Sequence, residues 1–346
     1  MTGAAPPAPA LRIGPLALRS ALLIAPMVGI TDAPCRQLAV ELGAGLVSTE
    51  MVAAEAVVRS QEASLRLLDF PPGVGPAGAQ LVGCDAAVMA AAAQVCVERG
   101  AVTVDVNLGC PVKKVVGRGS GAALARDIHA TAAVLGAIVA AVDVPVTAKM
   151  RLGWDAQSIN APELARALAD AGVAAVTVHG RTRCQGYAGE ADWVEIARVK
   201  EAVDIPVIGS GDVVDPQLLQ RRISQGVVDG VVLARGMLGN FWLIRQATHL
   251  LATGERVDDL DFTSRIELCR RHLSMLVAYH GAQRGLRIGR KYVAWSIRGC
   301  NGAARLRAMV QDLDSLDTLE GIFALALQAG LGPQGWFQPV FSSGEG

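Results

Sequence analysis

The sequence predicts a closed (β/α)8 barrel of the TIM type followed by a smaller C-terminal helical domain. Eight apolar segments of strand length alternate with helix-patterned stretches between residues 21 and 234. The turn after the first of them reads Ala25-Pro26-Met27-Val28-Gly29-Ile30, not the GxGxxG of an open dinucleotide-binding sheet. Beyond about residue 250 the alternation stops and helical periodicity continues without strands.

Taken in order, the strand candidates are 21–27, 45–51, 77–82, 102–108, 145–150, 174–179, 205–209 and 229–234. Helix patterns fall at 34–42, 86–99, 130–142, 161–171, 193–202 and 216–225. Strands separated by helices pair in parallel through right-handed crossovers. Eight such units in about 215 residues suit a closed barrel better than an open sheet. The expected organisation is a flexible leader over 1–20, a catalytic barrel over 21–250, a basic helical domain over 256–333 and a tail over 334–346.

Composition narrows the class. About half of the 346 residues are apolar, ample for a core, and the formal net charge is zero. Residues 1–20 are rich in Ala and Pro and lack the basic start and unbroken apolar run of an export signal. The Ala-rich runs near 86–95 and 130–141 are too short and too interrupted to span a bilayer. The seven cysteines show no CxxC or Cys/His cluster, so no metal site is expected. They read as reduced thiols of a cytoplasmic protein, a monomer by default.

Chemistry in such barrels sits where the strands end. Here the strand ends carry Pro26-Met27, Glu50-Met51, Gln80, Asn107 with Cys110, Lys149 with Arg151, His179 with Arg181, Ser210-Gly211-Asp212, and Ala234-Arg235. Polar groups closing apolar strands are costly to bury without partners, so together they imply a large polar ligand in the barrel mouth. The last two strand ends are glycine-rich, and loops after strands seven and eight commonly hold phosphate. Glycines make tight turns in any case, but Arg235 beside the second turn adds an anion-binding charge. Cys110 alone is a modest signal, because free cysteines are mostly small buried hydrophobes.

The zero net charge hides a strong asymmetry. Residues 262–310 contain ten Lys/Arg and one acidic residue, Glu267, whereas 311–346 carry five acidic residues and no Lys/Arg. Arg284, Arg287, Arg290, Lys291, Arg298, Arg305 and Arg307 recur near helical spacings, so several share a face. A basic face on a separate module is the footprint of phosphate-backbone binding by nucleic acid.

Ordered motifs along the chain then resemble a family. They are Ala25-Pro26-Met27-Val28-Gly29-Ile30-Thr31-Asp32, Ser48-Thr49-Glu50-Met51-Val52 and Gln80-Leu81-Val82-Gly83. Asp105-Val106-Asn107-Leu108-Gly109-Cys110-Pro111 with Lys113-Lys114 and Lys149-Met150-Arg151-Leu152-Gly153-Trp154 follow. Val178-His179-Gly180-Arg181-Thr182-Arg183, Gly189-Glu190-Ala191-Asp192-Trp193 and Arg290-Lys291-Tyr292-Val293-Ala294-Trp295 complete the set. Over residues 22–325 the chain resembles the bacterial tRNA-dihydrouridine synthases, most like the branch labelled B.

The resemblance implies an FMN enzyme that reduces selected tRNA uridines to 5,6-dihydrouridine with electrons from NADPH or NADH. By that resemblance Cys110 is the acid that protonates uracil C5, and hydride reaches C6 from reduced FMN. Pro26, Met27 and Val28 line the flavin ring, Gln80 bonds its polar edge, and Lys149 sits at its N1/O2 side. His179 approaches the ribityl or phosphate end, with Ser210, Gly211, Asp212, Ala234 and Arg235 around the phosphate. Asn107 orients the uracil. The family usually has Asn at position 210 and Gly at 234, where this chain has Ser210 and Ala234. Lys113 and Lys114 are expected to face RNA phosphate and not the sulfur, because nearby cations favour thiolate and would oppose proton donation. Arg181 is expected among the substrate contacts, and Arg287, Arg290 and Lys291 on the tRNA-binding face. A competing reading is an FMN barrel oxidoreductase for a small molecule, of the dihydroorotate dehydrogenase kind, which leaves the basic module unexplained. A retired, purely RNA-binding barrel would be expected to lose Cys110 or Lys149, and both are present.

Overall fold

The structure is a computed structural model and describes residues 10–332. It begins with an antiparallel hairpin, β1 (Leu11–Ile13) and β2 (Leu16–Leu18). Eight parallel strands follow: β3 (Leu22–Ile24), β4 (Val47–Ala53), β5 (Ala77–Val82), β6 (Val104–Leu108), β7 (Val146–Arg151), β8 (Ala175–His179), β9 (Val207–Ser210) and β10 (Gly230–Leu233). Each pairs with its chain neighbour from β4 to β10, and β10 pairs with β3. The seam between β3 and β4 is closed by Ile24 N–H donating to the Leu46 carbonyl (2.9 Å) and Gly45 N–H donating to the Leu22 carbonyl (2.8 Å). The result is the (β/α)8 barrel, with every strand candidate realised within a few residues of its expected bounds.

The expected flexible leader is corrected over 11–18. Leu11, Ile13 and Leu18 are buried and cluster with Leu23, Leu46, Ala175, Ile208 and Val232. Gly14 makes the turn at φ +55°. The hairpin therefore plugs the end of the barrel opposite the strand C-termini, where burying its apolar face outweighs the freedom of a loose segment. Residues 1–9 and the tail at 334–346 lie outside the described residues.

Aspartates start most of the barrel helices. Asp32, Asp85, Asp127, Asp192 and Asp215 each accept a first-turn N–H at the start of Ala33–Glu41, Ala86–Glu98, Ile128–Ala141, Trp193–Ala202 and Pro216–Ser224. After the helix Trp242–Thr253, a C-terminal module is built from Phe262–His280, Ala282–Ser296, Ala303–Gln311 and Leu316–Ala329. Its first two helices cross closely because Gly285 allows it: a Cβ there would lie 2.7 Å from the Leu276 carbonyl oxygen. The module packs against Ala33–Glu41 of the barrel, with Arg271 bonded to Glu41 and His280 Nε2 2.8 Å from Asp32.

Register sets the site. Across β5 to β9, Gln80 stands opposite Asp105, Asn107 opposite Lys149, Arg151 opposite His179, and His179 opposite Ser210. These pairings place the polar strand ends on one rim.

Candidate active site

Cys110 is held by its own strand end. The Asn107 side-chain oxygen accepts the N–H of Gly109 (3.1 Å) and of Cys110 (2.8 Å), which fixes the turn that presents the half-buried thiol. Behind it, Gly121 adopts φ +61°, and a Cβ there would lie 3.0 Å from the Cys110 carbonyl oxygen and 2.9 Å from Val115 Cγ1. The glycine-rich loop after β6 is thus a tight backing for the cysteine. Arg151 completes the frame. Its Nε donates to the Gly109 carbonyl (2.9 Å) and its Nη1 to the carbonyls of Thr182 (2.9 Å) and Gly186 (2.8 Å).

Beside this turn a cleft of about 800 Å3, open solvent at its mouth included, runs along the ends of β7 to β10 and β3. Pro26, Met27, Lys149, His179, Tyr187, Ser210, Gly211, Asp212, Ala234 and Arg235 line it. Two turns allow the backbone to come close. A Cβ on Gly236 would meet the Val213 carbonyl oxygen at 2.2 Å, and one on Gly211, at φ +127°, would meet Ala191 Cβ at 2.5 Å. Neither position admits a side chain. Ala234 has a negative φ of −130°, so its methyl costs no left-handed strain.

The cleft is cationic. Burial pushes the Lys149 ammonium down to about 8, Arg151 adds to the effect and Asp105 opposes it. Burial, with Lys149, Arg151, Arg181 and Arg235 around the ring, drives His179 far below the usual imidazole range, so it is neutral. Arg235 stacks over the Tyr187 ring at 4.1 Å from its centroid, and Arg151 lies over the same ring at 5.5 Å. Fixed cations around a neutral histidine and two glycine turns suit an anionic ligand.

Several of the expected site residues are bonded to the protein itself. Gln80 is fully buried and outside the cleft lining: its Nε2 donates to Asp105 (2.7 Å) and its Oε1 accepts from Asn107 (2.8 Å). Thr147 donates to the other Asp105 oxygen (2.7 Å), so a polar chain runs from the barrel interior to the Cys110 turn. Asn107 belongs first to that chain and to the turn. Arg181, expected to touch substrate, is 2% exposed. It donates to Asp212 (2.8 Å) and to the carbonyls of Ala188 (3.1 Å) and Gly189 (2.5 Å), tying down the loop that carries Tyr187. Val28 is exposed beyond the cleft. Asp212 turns its carboxylate to Arg181 and to the Ala191 N–H (2.7 Å), leaving its backbone to the cleft.

Lys113 and Lys114 are exposed on the single turn Lys113–Val116. In the module, Arg284, Arg287, Arg305 and Arg307 are exposed. Arg290 is not: its Nε and Nη2 donate to the Leu313 carbonyl (3.2 and 3.0 Å). Lys291 donates to the Gly29 carbonyl on the barrel. Of the three residues expected on the RNA face, Arg287 faces solvent, while Arg290 and Lys291 are part-buried and bond the protein. Sequence reasoning misses Tyr187 in the cleft and the framework roles of Arg151, Asp105 and Thr147. Asp105 carries a signal, a carboxylate amid an apolar strand; Tyr187 carries none beyond its glycine-rich surroundings.

Fold and rim together define the class: a (β/α)8 barrel with an anion-accepting cleft and a presented thiol at the strand C-termini. A family model described as Dihydrouridine synthase matches residues 23–327, and the chain belongs to that family. It is 42% identical over 301 residues to a probable tRNA-dihydrouridine synthase of Rickettsia bellii, covering 87% of this chain and 92% of the relative. It is 41% identical over 308 residues to tRNA-dihydrouridine synthase B of Pseudomonas aeruginosa, covering 89% and 92%. Among solved structures, histamine dehydrogenase from Rhizobium sp. 4-9 superposes with a TM-score of 0.55 at 15% identity over 77% of this chain and 50% of that one. Morphinone reductase superposes with a TM-score of 0.52 at 14% identity, over 74% and 92%. These likenesses place the fold. Among the described residues no helix is long and apolar enough to cross a membrane, and no group of three or more His, Cys, Asp or Glu is placed to hold a metal ion.

Proposed function

We propose that the protein reduces uridines of tRNA to 5,6-dihydrouridine, with FMN in the cleft, NADPH or NADH as electron source and Cys110 as the acid. The observation that carries this reading is the pairing of one cationic, glycine-turned cleft with a thiol fixed beside it by Asn107 and Gly121. The names of the relatives supply the substrate class.

The residues fit the cofactor. Pro26 and Met27 offer an apolar wall for the flavin ring, and Lys149 a charge beside it. Arg235, His179 and the backbone of Ser210-Gly211-Asp212 and Ala234-Arg235-Gly236 suit the phosphate. Held by these residues, FMN would supply hydride chemistry at uracil C6, with a nicotinamide as the electron source.

Hydride at C6 develops negative charge toward C5 and O4. The Cys110 thiol releases its proton to C5, and the resulting thiolate is reprotonated from solvent. Lys113 and Lys114 stand exposed, available to RNA phosphate. A stacked base cannot meet flavin on one face and Cys110 on the other, so the uridine must leave the stack. Arg284, Arg287, Arg305 and Arg307 give the module an exposed basic surface for RNA backbone. That surface favours RNA over the small molecule of the competing reading.

The purified protein is expected to be yellow and to carry flavin released as FMN on denaturation. A colourless protein that takes up no FMN on titration would remove the enzyme reading in both forms.

A further inference from the structure

The loop that lines the cleft between β3 and the first barrel helix is gripped from outside the barrel. Gly29, at φ +74°, is its tip. Its N–H donates to Glu50 Oε2 (2.6 Å), and its carbonyl accepts from Lys291 of the module. The next carbonyl, of Ile30, accepts from the Tyr292 hydroxyl (3.2 Å). Thr31 closes the loop on itself, bonding the Met27 N–H (3.0 Å) and carbonyl (3.2 Å). Tyr292 is 2% exposed, with its ring against those of Phe241, His272 and Trp295. Its hydroxyl therefore has a fixed place. Two residues away, Asp32 meets His280, the last residue of the preceding module helix.

An ammonium on a long stem is normally a surface charge. Lys291 is half-buried and its charge is met by a carbonyl and by the nearby Glu50 and Asp32. The carbonyl and carboxylates that meet its charge are all barrel groups, with the Tyr292 ring 5.1 Å away on its own helix, so that charge is poorly placed for RNA. The loop it holds carries Pro26 and Met27 into the cleft.

We infer that Lys291 and Tyr292 are positioning residues: through the carbonyls of Gly29 and Ile30 the helical module sets the loop that forms the apolar wall of the flavin site. The inference rests on the proposed flavin reading for what the cleft holds, but not for the grip on the loop. It gives the module a second task. RNA bound to its exposed arginines and the ring wall on the barrel are then joined by one helix, Ala282–Ser296.

The test is Lys291→Met in the full chain, with Tyr292→Phe as a milder variant that removes one hydroxyl. Hydrogen exchange of the amides at 27–31 in flavin-free protein is expected to quicken by about tenfold in Lys291→Met, the worth of one charge-assisted hydrogen bond. FMN affinity, read by quenching of flavin fluorescence, is expected to fall by a similar factor of about ten, and Lys291→Arg to recover part of it. Affinity for a tRNA transcript and its salt dependence are expected to stay within about twofold of wild type, whereas Arg284→Ala with Arg287→Ala flattens the salt slope by roughly one for each phosphate no longer neutralised. Unchanged exchange at 27–31 overturns the inference. So does a Lys291→Met protein that binds FMN normally while its salt slope flattens as in the arginine variant, which would make Lys291 an RNA contact. A wild-type protein that binds no FMN defeats the functional reading instead, and the exchange measurement still decides whether Lys291 holds the loop.

Discussion

Cys110→Ala is expected to keep FMN bound and reducible by NADPH or NADH while uridine reduction falls by a factor of about 10²–10⁴, the usual worth of a positioned general acid. The split follows from the structure. The cleft lining includes Lys149, His179 and Arg235 but not Cys110, so flavin retention does not depend on the thiol. The turn itself depends on backbone N–H groups donating to Asn107, and these survive loss of the sulfur. Anaerobic reduction by the nicotinamide followed by a chase with tRNA separates the two halves. Loss of both together would mean that the variant had disturbed the site as a whole, and full uridine reduction would remove Cys110 from the chemistry.

Lys149→Met is expected to act in opposite directions on stability and on function. Its ammonium sits among buried groups, and burial lowers its pKa to about 8. A lysine that binds its proton less well when folded than when unfolded weighs against the folded state wherever the unfolded chain keeps the proton. That burden is full below about pH 8 and shrinks as pH rises toward the ordinary 10.5. Flavin-free wild type should therefore gain stability from this group between those values, and Lys149→Met should be the more stable protein below them and lack the rise. The same variant should lose FMN affinity by at least about tenfold, because a charge beside an anionic ligand is removed from a site sheltered from water. In the wild type FMN affinity should begin to fall as pH climbs beyond about 8, where the ammonium of the flavin-free protein is neutralised. Melting curves across that range and FMN titrations check both signs. A variant less stable than wild type at every pH would refute the electrostatic account of this lysine.

Much of the barrel is visible in the chain because its determinants are local. Apolar runs closed by Gln80, Asn107, Lys149, His179 and Ser210 mark strands and say which end is the rim. Asp32, Asp85, Asp127, Asp192 and Asp215 mark helix starts through caps that need only the next three residues. The N-terminal hairpin is masked by the Ala/Pro-rich stretch before it. Yet Leu11-Arg12-Ile13, Gly14-Pro15, Leu16-Ala17-Leu18 alternates about a turn, which is its signal.

The destinations of long cationic side chains are not visible in the sequence. Arg181, Arg290 and Lys291 sit in motifs beside a rim or a basic face, and nothing in their spacing shows that each reaches back to a carbonyl or carboxylate of the protein. Arg284 and Arg287 share that periodicity and do face solvent. The difference lies in what stands opposite: Leu313 from the connection between the last two module helices, Gly29 from the barrel, Asp212 from another strand end. These are contacts between segments far apart in the chain, and helical spacing carries no information about them. Gln80 and Asn107 are legible as rim residues for the same local reason as the strands, but their bonding to Asp105 and to the Cys110 turn depends on the register of β5 to β7.

The most direct test of the central claim uses the purified protein loaded with FMN, an excess of NADPH and an unmodified tRNA transcript under anaerobic conditions, with nucleosides analysed by mass spectrometry. The account predicts dihydrouridine at defined positions, formed one for one with nicotinamide oxidised, and none when free uridine replaces the tRNA at the same concentration. Oxidation of the nicotinamide with tRNA left unchanged would contradict it and return the barrel to the small-molecule oxidoreductases.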